Sequence, residues 1–549
     1  MFDDLDVSFA ATCSNATLCA KQKGFFYEFA DNMKALAEHD NWLQDVFGKQ
    51  KGDVAKIDAL MENKTVSDMC AGNLSYTYNT TVPFLGMHVK QSSSKLCAER
   101  LTEAQVLLNR GDLELALGLV NQAVILAPTP GNLYAMEDKR SLALALWFRS
   151  DVLMKLKKYD LALRDLKLAL KKGLTVKIRA QYYWRLAKIS YEIAMKMFQK
   201  SDAETAKLIA RDIEDLKNIR PTTGRHAVAD AKIKTGAVLL IESPYAACLL
   251  PDFFGTHCIN CFKRLEAPLS CDKCSAVAFC DIECQEIALS TYHPYECVHI
   301  HLLIGSGMSI LSAIALRMVT QVGLENYVKT LAGRIYSLCA HSELRKPDDY
   351  LKRIIMSLFI KGCLVNTDFF DKSDPEVLKK DERIVLELLL RNLQILQFNA
   401  HEVNEIRRGS HHCFEGSEIC YIGVGIYPTG ALFNHDCYPS VARYFDGKNI
   451  VLRATKPLGI GEIVAENYGP HFLKKSLSAR QRDLAGRYWF NCVCTACTED
   501  WPLMTTMNVD AQPRLRYVIL FNLLKVQFTI STNKTASSLF TKQICVKFR

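Results

Sequence analysis

The sequence predicts an α+β multidomain chain: a helical N-terminal region, then a β-rich domain interrupted by a zinc-binding module and a helical insert, closed by a second cysteine-rich segment. Three observations carry this. Between Cys258 and Cys297, seven cysteines and one histidine run C-x2-C, x9, C-x2-C, x5, C-x3-C, x8, H-x3-C. Upstream, from Leu96, apolar and small residues recur at helical spacing. Downstream, Tyr421 to Tyr468 breaks into short strand-like runs between glycine, proline and asparagine turns. The 549 residues, 49% of them apolar, suffice for several cores, and 16 prolines argue against long disorder.

Met1 to about Val89 holds an amphipathic stretch, Phe25 to Ile57, and a polar, threonine-rich patch, Lys64 to Thr81, to which no chemistry is assigned. The stretch Gly111, Asp112, Leu113, Ala116, Ala123, Pro128 then places small residues where two antiparallel helices cross closely. Lys157, Tyr159, Ala162 and Ala169 repeat its offsets, and Ala206 heads a third copy. The pattern resembles tetratricopeptide repeats, although the copies lie 46 and 44 residues apart rather than about 34. Insertions such as Thr129 to Arg140 are expected to lengthen the connections. After Pro221 the texture turns to β, with Val238 to Glu242 bounded by Gly236 and Pro244. From His299 to Phe398 it is helical again, and the apolar run Leu302 to Leu316 is read as a buried helix, too short to span a bilayer.

The opening MFDDLDVSFA has no basic start, apolar run and small-residue cleavage site, so disulfides are disfavoured and the eight ligands point to two tetrahedral zinc ions. On the same ground the Asn-x-Ser/Thr triplets at Asn15, Asn63, Asn73 and Asn79 are read as incidental. The formal charge of +9 is modest, and its basic cluster Lys155 to Lys172 alternates with leucines as a solvated helix face does, so no direct nucleic-acid contact is expected. Further on, Cys492, Cys494 and Cys497 form C-x-C-x2-C, and the nearest upstream fourth ligand is Cys437, 55 positions earlier. By themselves three clustered cysteines are ambiguous. Asn434, His435 and Asp436 equally suit a turn, and Tyr468 before Gly469-Pro470 a strand end.

Their order is more specific. Gly224-Arg225, the paired-cysteine module, Tyr427-Pro428, Asn434-His435-x-Cys437, Asn467-Tyr468 and C-x-C-x2-C together resemble the SET and MYND domain family of protein lysine methyltransferases, over about residues 221–500. The resemblance implies a tetratricopeptide-like helical N-terminal region and a β-rich SET fold, interrupted by a MYND zinc finger and a helical insert and followed by a zinc-bound post-SET segment. It divides the chain at 1–90, 91–220, 221–257, 258–297 (the finger), 298–398 (the insert), 399–471 (the SET core), 472–500 and a tail, 501–549. It implies interleaved ligands, with Cys258, Cys261, Cys280 and Cys284 on one zinc and Cys271, Cys274, His293 and Cys297 on the second. A third zinc falls to Cys437, Cys492, Cys494 and Cys497.

The implied activity is methyl transfer from S-adenosylmethionine to a lysine amine of a histone or non-histone protein. The sulfonium is a good leaving group, so the protein's task is alignment and a neutral nucleophile. A narrow apolar and aromatic channel favours loss of the amine proton, which in water has a pKa of ~10.4. By resemblance Tyr468 is the catalytic tyrosine and Tyr488 lines the channel; Gly224, Arg225, His226, Asn399, Asn434, His435, Tyr468 and Phe490 are cofactor-binding. Two departures stand out. His226 occupies a position commonly glycine in the family loop, where the imidazole either obstructs the cofactor or points outward, and Glu466-Asn467 is more polar than the residues often found before that tyrosine. The alternative is an adaptor whose finger and repeats recruit partner proteins such as corepressors or chaperones. Residence in cytoplasm and nucleus, no membrane association, and lower order after about residue 505, in a tail read as shortened, complete the expectations.

Overall fold

The computed structural model describes residues 25–79, 93–128, 140–174, 179–271, 273–274, 276–324, 334–407, 417–506 and 546–548, except for 199–224. The chain forms two compact units. One comprises Met1–Val82, Ala206–Leu250 and Leu303–Arg549; the other Pro83–Thr205 and Pro251–Leu302.

The strands in chain order are β1 (Ala227–Ala229), β2 (Val238–Glu242), β3 (Ala246–Leu249), β4 (Leu269–Ser270), β5 (Ala278–Phe279), β6 (Ala400–Arg407), β7 (Glu418–Ile426), β8 (Val441–Asp446), β9 (Asn449–Ala454), β10 (Ile463–Val464) and β11 (Val546–Phe548). In the first unit they make three small antiparallel sheets, ordered β10-β1-β11, β2-β9-β8 and β3-β7-β6. Their inner faces are valine, isoleucine and leucine, as in Val424, Ile426, Ile450 and Leu452, all buried.

Helices Ile310–Thr320, Pro347–Val365 and Pro375–Asn399 supply the rest of that core through Ile314, Phe359, Leu389 and Leu393. The helix Phe25–Glu38 joins them: the Phe26 and Phe359 ring centroids lie 6.2 Å apart. The longest helix begins where its sequence dictates. Asp374 caps it by accepting the Glu376 and Val377 N–H groups at 2.9 and 3.4 Å, and Pro375 occupies the first turn. It runs without a break to Asn399 and passes directly into β6, so the site begins at a helix end.

One expectation needs correction. Leu302 to Leu316 is not one helix: Ile300–Gly305 ends before Gly307, whose φ of +72° suits glycine, and a second helix starts at Ile310. The Ser306 hydroxyl, which accepts the Met308 N–H at 3.1 Å, holds the break. The polar patch from Lys64, to which no secondary structure is assigned from sequence, lies in a helix, Lys64–Asn79. Expectations for Ala206 and for Thr129 onward lie outside the described residues, as does the tail apart from residues to 506 and β11.

The second unit pairs helices Ser94–Arg110 with Leu113–Leu126 and Ser141–Lys155 with Tyr159–Lys171, followed by Arg179–Phe198. Ala104, Ala116, Val120, Val152, Ala162 and Leu166 fill one core, the small side chains permitting close approach. The turn between each pair needs a left-handed residue: Gly111 in the first (φ +88°), Lys157 in the second (φ +59°). Residues 251–302 fold against these helices. Arg149 is fully buried in an ion pair with Asp165, Nε to Oδ2 2.5 Å, and donates to the Pro268 carbonyl at 2.7 Å. Arg164 donates to the carbonyls of Ala267 and Cys280 at 2.7 and 2.5 Å.

Candidate zinc and transfer sites

The hairpin β4–β5 pairs Leu269 with Phe279 and Ser270 with Ala278, which sets Cys271 at its turn end and Cys280 at its open end, one for each ligand group. Asp281 then caps the helix Ile282–Ser290, accepting the Cys284 N–H at 2.7 Å and orienting that cysteine. The ligand atoms gather as Cys258, Cys261, Cys280 and Cys284 in one group and Cys271, Cys274, His293 and Cys297 in another, each within 4.8 Å of one another. Tetrahedral thiolates about 2.3 Å from zinc lie ~3.8 Å apart. The separations fit: Cys261 to Cys280 3.5 Å, Cys271 to Cys297 4.0 Å, and Cys274 Sγ to His293 Nε2 3.6 Å.

Cys437, Cys492, Cys494 and Cys497 form a third such group in the first unit, with Cys437 Sγ 3.5 Å from Cys497 Sγ. The fully buried Arg480, on helix Leu477–Tyr488, fixes it by donating to the carbonyls of Lys475 and Ala496 at 2.7 and 2.9 Å and to Cys497 Sγ at 3.7 Å. That helix stops at Trp489, whose φ of +61° is left-handed and strained for a tryptophan. The reversal directs the chain to the ligands from Cys492 onward, and Trp489 packs on Phe398, centroids 5.0 Å apart.

This third group abuts the aromatic residues singled out from the sequence. The Tyr468 and Tyr488 rings lie 4.9 Å apart, with His435 5.4 Å from Tyr468 and 6.3 Å from Phe490. Burial pushes the His435 imidazole down to about 4, so the ring is neutral. Its Nδ1 accepts the Tyr468 N–H at 2.9 Å, and its Nε2 faces Cys437 Sγ at 3.3 Å. The ring therefore braces the Tyr468 segment against the cysteine group. The Asn434 carbonyl accepts the Glu466 N–H at 2.9 Å, and the Tyr468 hydroxyl donates to the Phe433 carbonyl at 2.8 Å. Burial, then the charge of Glu466, pushes the Tyr468 hydroxyl well above its ordinary value, so it remains a donor.

A cleft beside these tyrosines is lined by Phe398, Asn399, His401, Glu402, Ala431, Arg443, Glu466, Tyr468 and Tyr488 among others. Asn399 also braces its surroundings, its amide donating to the Cys339 and Ile395 carbonyls at 2.7 Å each. Arg225 donates to the hydroxyl and carbonyl oxygens of Ser337, the hydroxyl at 2.9 Å, on the segment that leads to Cys339. His226 is buried rather than turned outward. Gly224 lies outside the described residues. The loop entering Asn434 is held by Glu242, which accepts the Thr429 and Gly430 N–H groups at 2.9 and 2.8 Å. A Cβ on Gly425 would meet the Tyr427 hydroxyl at 2.9 Å, so glycine there makes room for that ring.

Sequence reasoning missed His401, Glu402 and Arg443 and noted Glu466 only for its polarity. Glu466 Oε1 faces His401 Nε2 at 3.1 Å, and its Oε2 accepts from Arg443 at 2.9 Å. Burial opposes the charge of Glu466, but Arg443 and His401 outweigh it and hold the carboxyl below its ordinary value. The strand Ala400–Arg407 also carries Asn404, Glu405 and Arg407, so His401 and Glu402 did not stand out in the sequence.

A class is defined by these sites: residues 258–297 match the MYND finger family. Beyond the finger the chain is similar to Protein-lysine N-methyltransferase SMYD4 of Mus musculus, 26% identical over 377 residues, covering 54% of this chain and 46% of the relative. The Danio rerio protein of that name is 25% identical over 366 residues, covering 50% and 48%. N-lysine methyltransferase SMYD2 of Gallus gallus is 24% identical over 278 residues, covering 51% and 58%. The chain thus resembles the SET and MYND domain methyltransferases, SMYD4 in particular, and spans about half the length of these relatives.

Proposed function

We propose that the chain is an S-adenosylmethionine-dependent protein-lysine N-methyltransferase acting on a histone or another protein. The observation that carries this is the convergence of Tyr468, Tyr488 and Asn399 on one cleft, with His435 and Phe490 packed against the tyrosines and the third cysteine group behind them. The aromatic faces and the asparagine amides fit an adenosine and an amino-acid moiety. Asn399, Asn434, His435 through its backbone, and Phe490 would hold the cofactor, with Arg225 and His226 contributing from their loop. When bound, S-adenosylmethionine supplies an activated methyl group.

The residues of the chain do the rest. Tyr468 and Tyr488 wall the lysine channel and restrict the amine to one approach, and a buried tyrosine hydroxyl that stays protonated orients it. Three zinc ions, one in each cysteine group, are structural, since four protein ligands fill each site. The helices between Ser94 and Phe198 are proposed as a tetratricopeptide-like surface that, with the finger, engages partner proteins such as corepressors or chaperones, in cytoplasm and nucleus. An adaptor role alone leaves the tyrosine pair and its cleft without a use.

The test is methyl transfer from tritiated S-adenosylmethionine to a core histone mixture and to a cell lysate. Incorporation into protein lysine that falls at least about tenfold in Tyr468→Phe supports the reading. No incorporation by a folded, zinc-loaded protein that also fails to bind the cofactor refutes it.

A further inference from the structure

The two asparagines assigned to the cofactor stand on separate segments, Asn399 at the end of the long helix and Asn434 in the turn before Cys437. One glutamate and one histidine span them. Glu466 pairs with the Asn434 turn through its backbone: its N–H donates to the Asn434 carbonyl at 2.9 Å, and its carbonyl accepts the Asp436 N–H at 2.8 Å. Its side chain reaches the other way, to His401 Nε2 at 3.1 Å. His401 Nδ1 in turn faces the Asn399 carbonyl at 3.1 Å. The imidazole is 7% exposed and stands nearly perpendicular to the Tyr427 ring, centroids 5.5 Å apart.

Both groups facing the imidazole are acceptors. Burial works against the charge of Glu466, but Arg443 on β8, which donates to its second oxygen at 2.9 Å, keeps it a carboxylate. The Asn399 carbonyl has no proton to give. A neutral imidazole carries one N–H and serves one acceptor, whereas the imidazolium serves both. Two further acids stand nearby: Glu242 at the end of β2, which interacts electrostatically with His401, and Glu402, the next residue along β6, whose field acts on Arg443.

We propose that His401 is a positioning residue of the transfer site: its doubly protonated ring sets the separation of Asn399 and Asn434, and with it the fit of S-adenosylmethionine, a role that rests on the methyltransferase reading above. When the ring loses its second proton, one of the two bonds goes, and the Asn399 end of the site is released from the segment that carries Tyr468. Cofactor affinity is therefore greatest with the ring charged and falls as pH rises through its titration.

The experiment uses the full zinc-loaded chain, with S-adenosylhomocysteine affinity followed by calorimetry from about pH 6 to about pH 8.5 and zinc content checked at each point. The expected result is a wild-type affinity that falls at least about fivefold across that range, as the loss of one charge-assisted hydrogen bond requires. His401→Gln, which has no titrating ring, binds less tightly than the wild type at the acid end and shows no such fall. A wild-type profile without the fall overturns the role of His401 whether or not the variant folds, and a folded His401→Gln that keeps the fall does the same; both leave the methyltransferase reading intact. A folded wild type that binds no S-adenosylhomocysteine at any pH overturns that reading, and this role with it.

Discussion

The finger and the third cysteine group use the same chemistry but are assembled in opposite ways. The eight finger ligands fall within residues 258–297, and a short hairpin and a capped helix suffice to gather them. The third group joins Cys437 to Cys492, Cys494 and Cys497 across more than fifty residues, and the Tyr468 segment is tied to it through His435. Each is held by arginine reaching backbone carbonyls: Arg149 and Arg164 for the finger, Arg480 for the third group. The lesson is that a local metal site builds a module, whereas a non-local one builds the transfer site around it.

The sharpest way to break this comparison is to remove one metal from each region. Cys494→Ala should reduce bound zinc by one ion per chain, abolish S-adenosylmethionine binding and lower soluble yield, because a structural zinc contributes roughly 10 kcal/mol or more to folding. Cys274→Ala should also reduce zinc, read by elemental analysis, yet leave cofactor binding in place. Equal loss of binding in both would show that the two regions are not separable.

Next in size are the arginines. Arg149→Met strands the buried Asp165, a defect that typically costs ~3–5 kcal/mol; the low end is expected, since Arg164 still reaches Asp165 at 2.8 Å. Arg480→Met leaves the Lys475 carbonyl without that donor, at about 1–3 kcal/mol, while the Ala496 carbonyl keeps the Trp501 N–H at 3.1 Å, and the change should weaken the third group alone. Denaturant titration with zinc quantification separates the two variants: loss of metal from the finger in Arg480→Met would contradict the assignment.

The smallest structural effect is predicted for Tyr468→Phe. It removes one hydrogen bond, to the Phe433 carbonyl, and should destabilise the fold by about 1 kcal/mol with cofactor affinity nearly unchanged, while methyl transfer falls. A large drop in melting temperature would recast Tyr468 as structural.

What was legible in the sequence follows the same division. Periodicity and ligand spacing disclosed the helices, the finger and the strand Val238–Glu242, because all are set by neighbours along the chain. The grouping of Cys437 with a segment far downstream came from resemblance, since spacing cannot say which loop folds back. The break after Gly305 was missed because an apolar run reads the same whether or not a serine hydroxyl caps it. His401, Glu402, Arg443 and Glu466 were missed as a set because they come from three separate segments, and only the sheet brings them to one cleft. Trp489 gave no warning at all, for nothing in its neighbours demands a left-handed residue.

The central claim, that the third cysteine group frames a working cofactor site, is tested most directly by calorimetric titration of S-adenosylmethionine into the zinc-loaded protein and into Asn434→Ala. One saturable site in the wild type, lost in a variant that keeps its zinc and its fold, is the predicted result. A folded, zinc-loaded wild type that takes up no S-adenosylmethionine would contradict it.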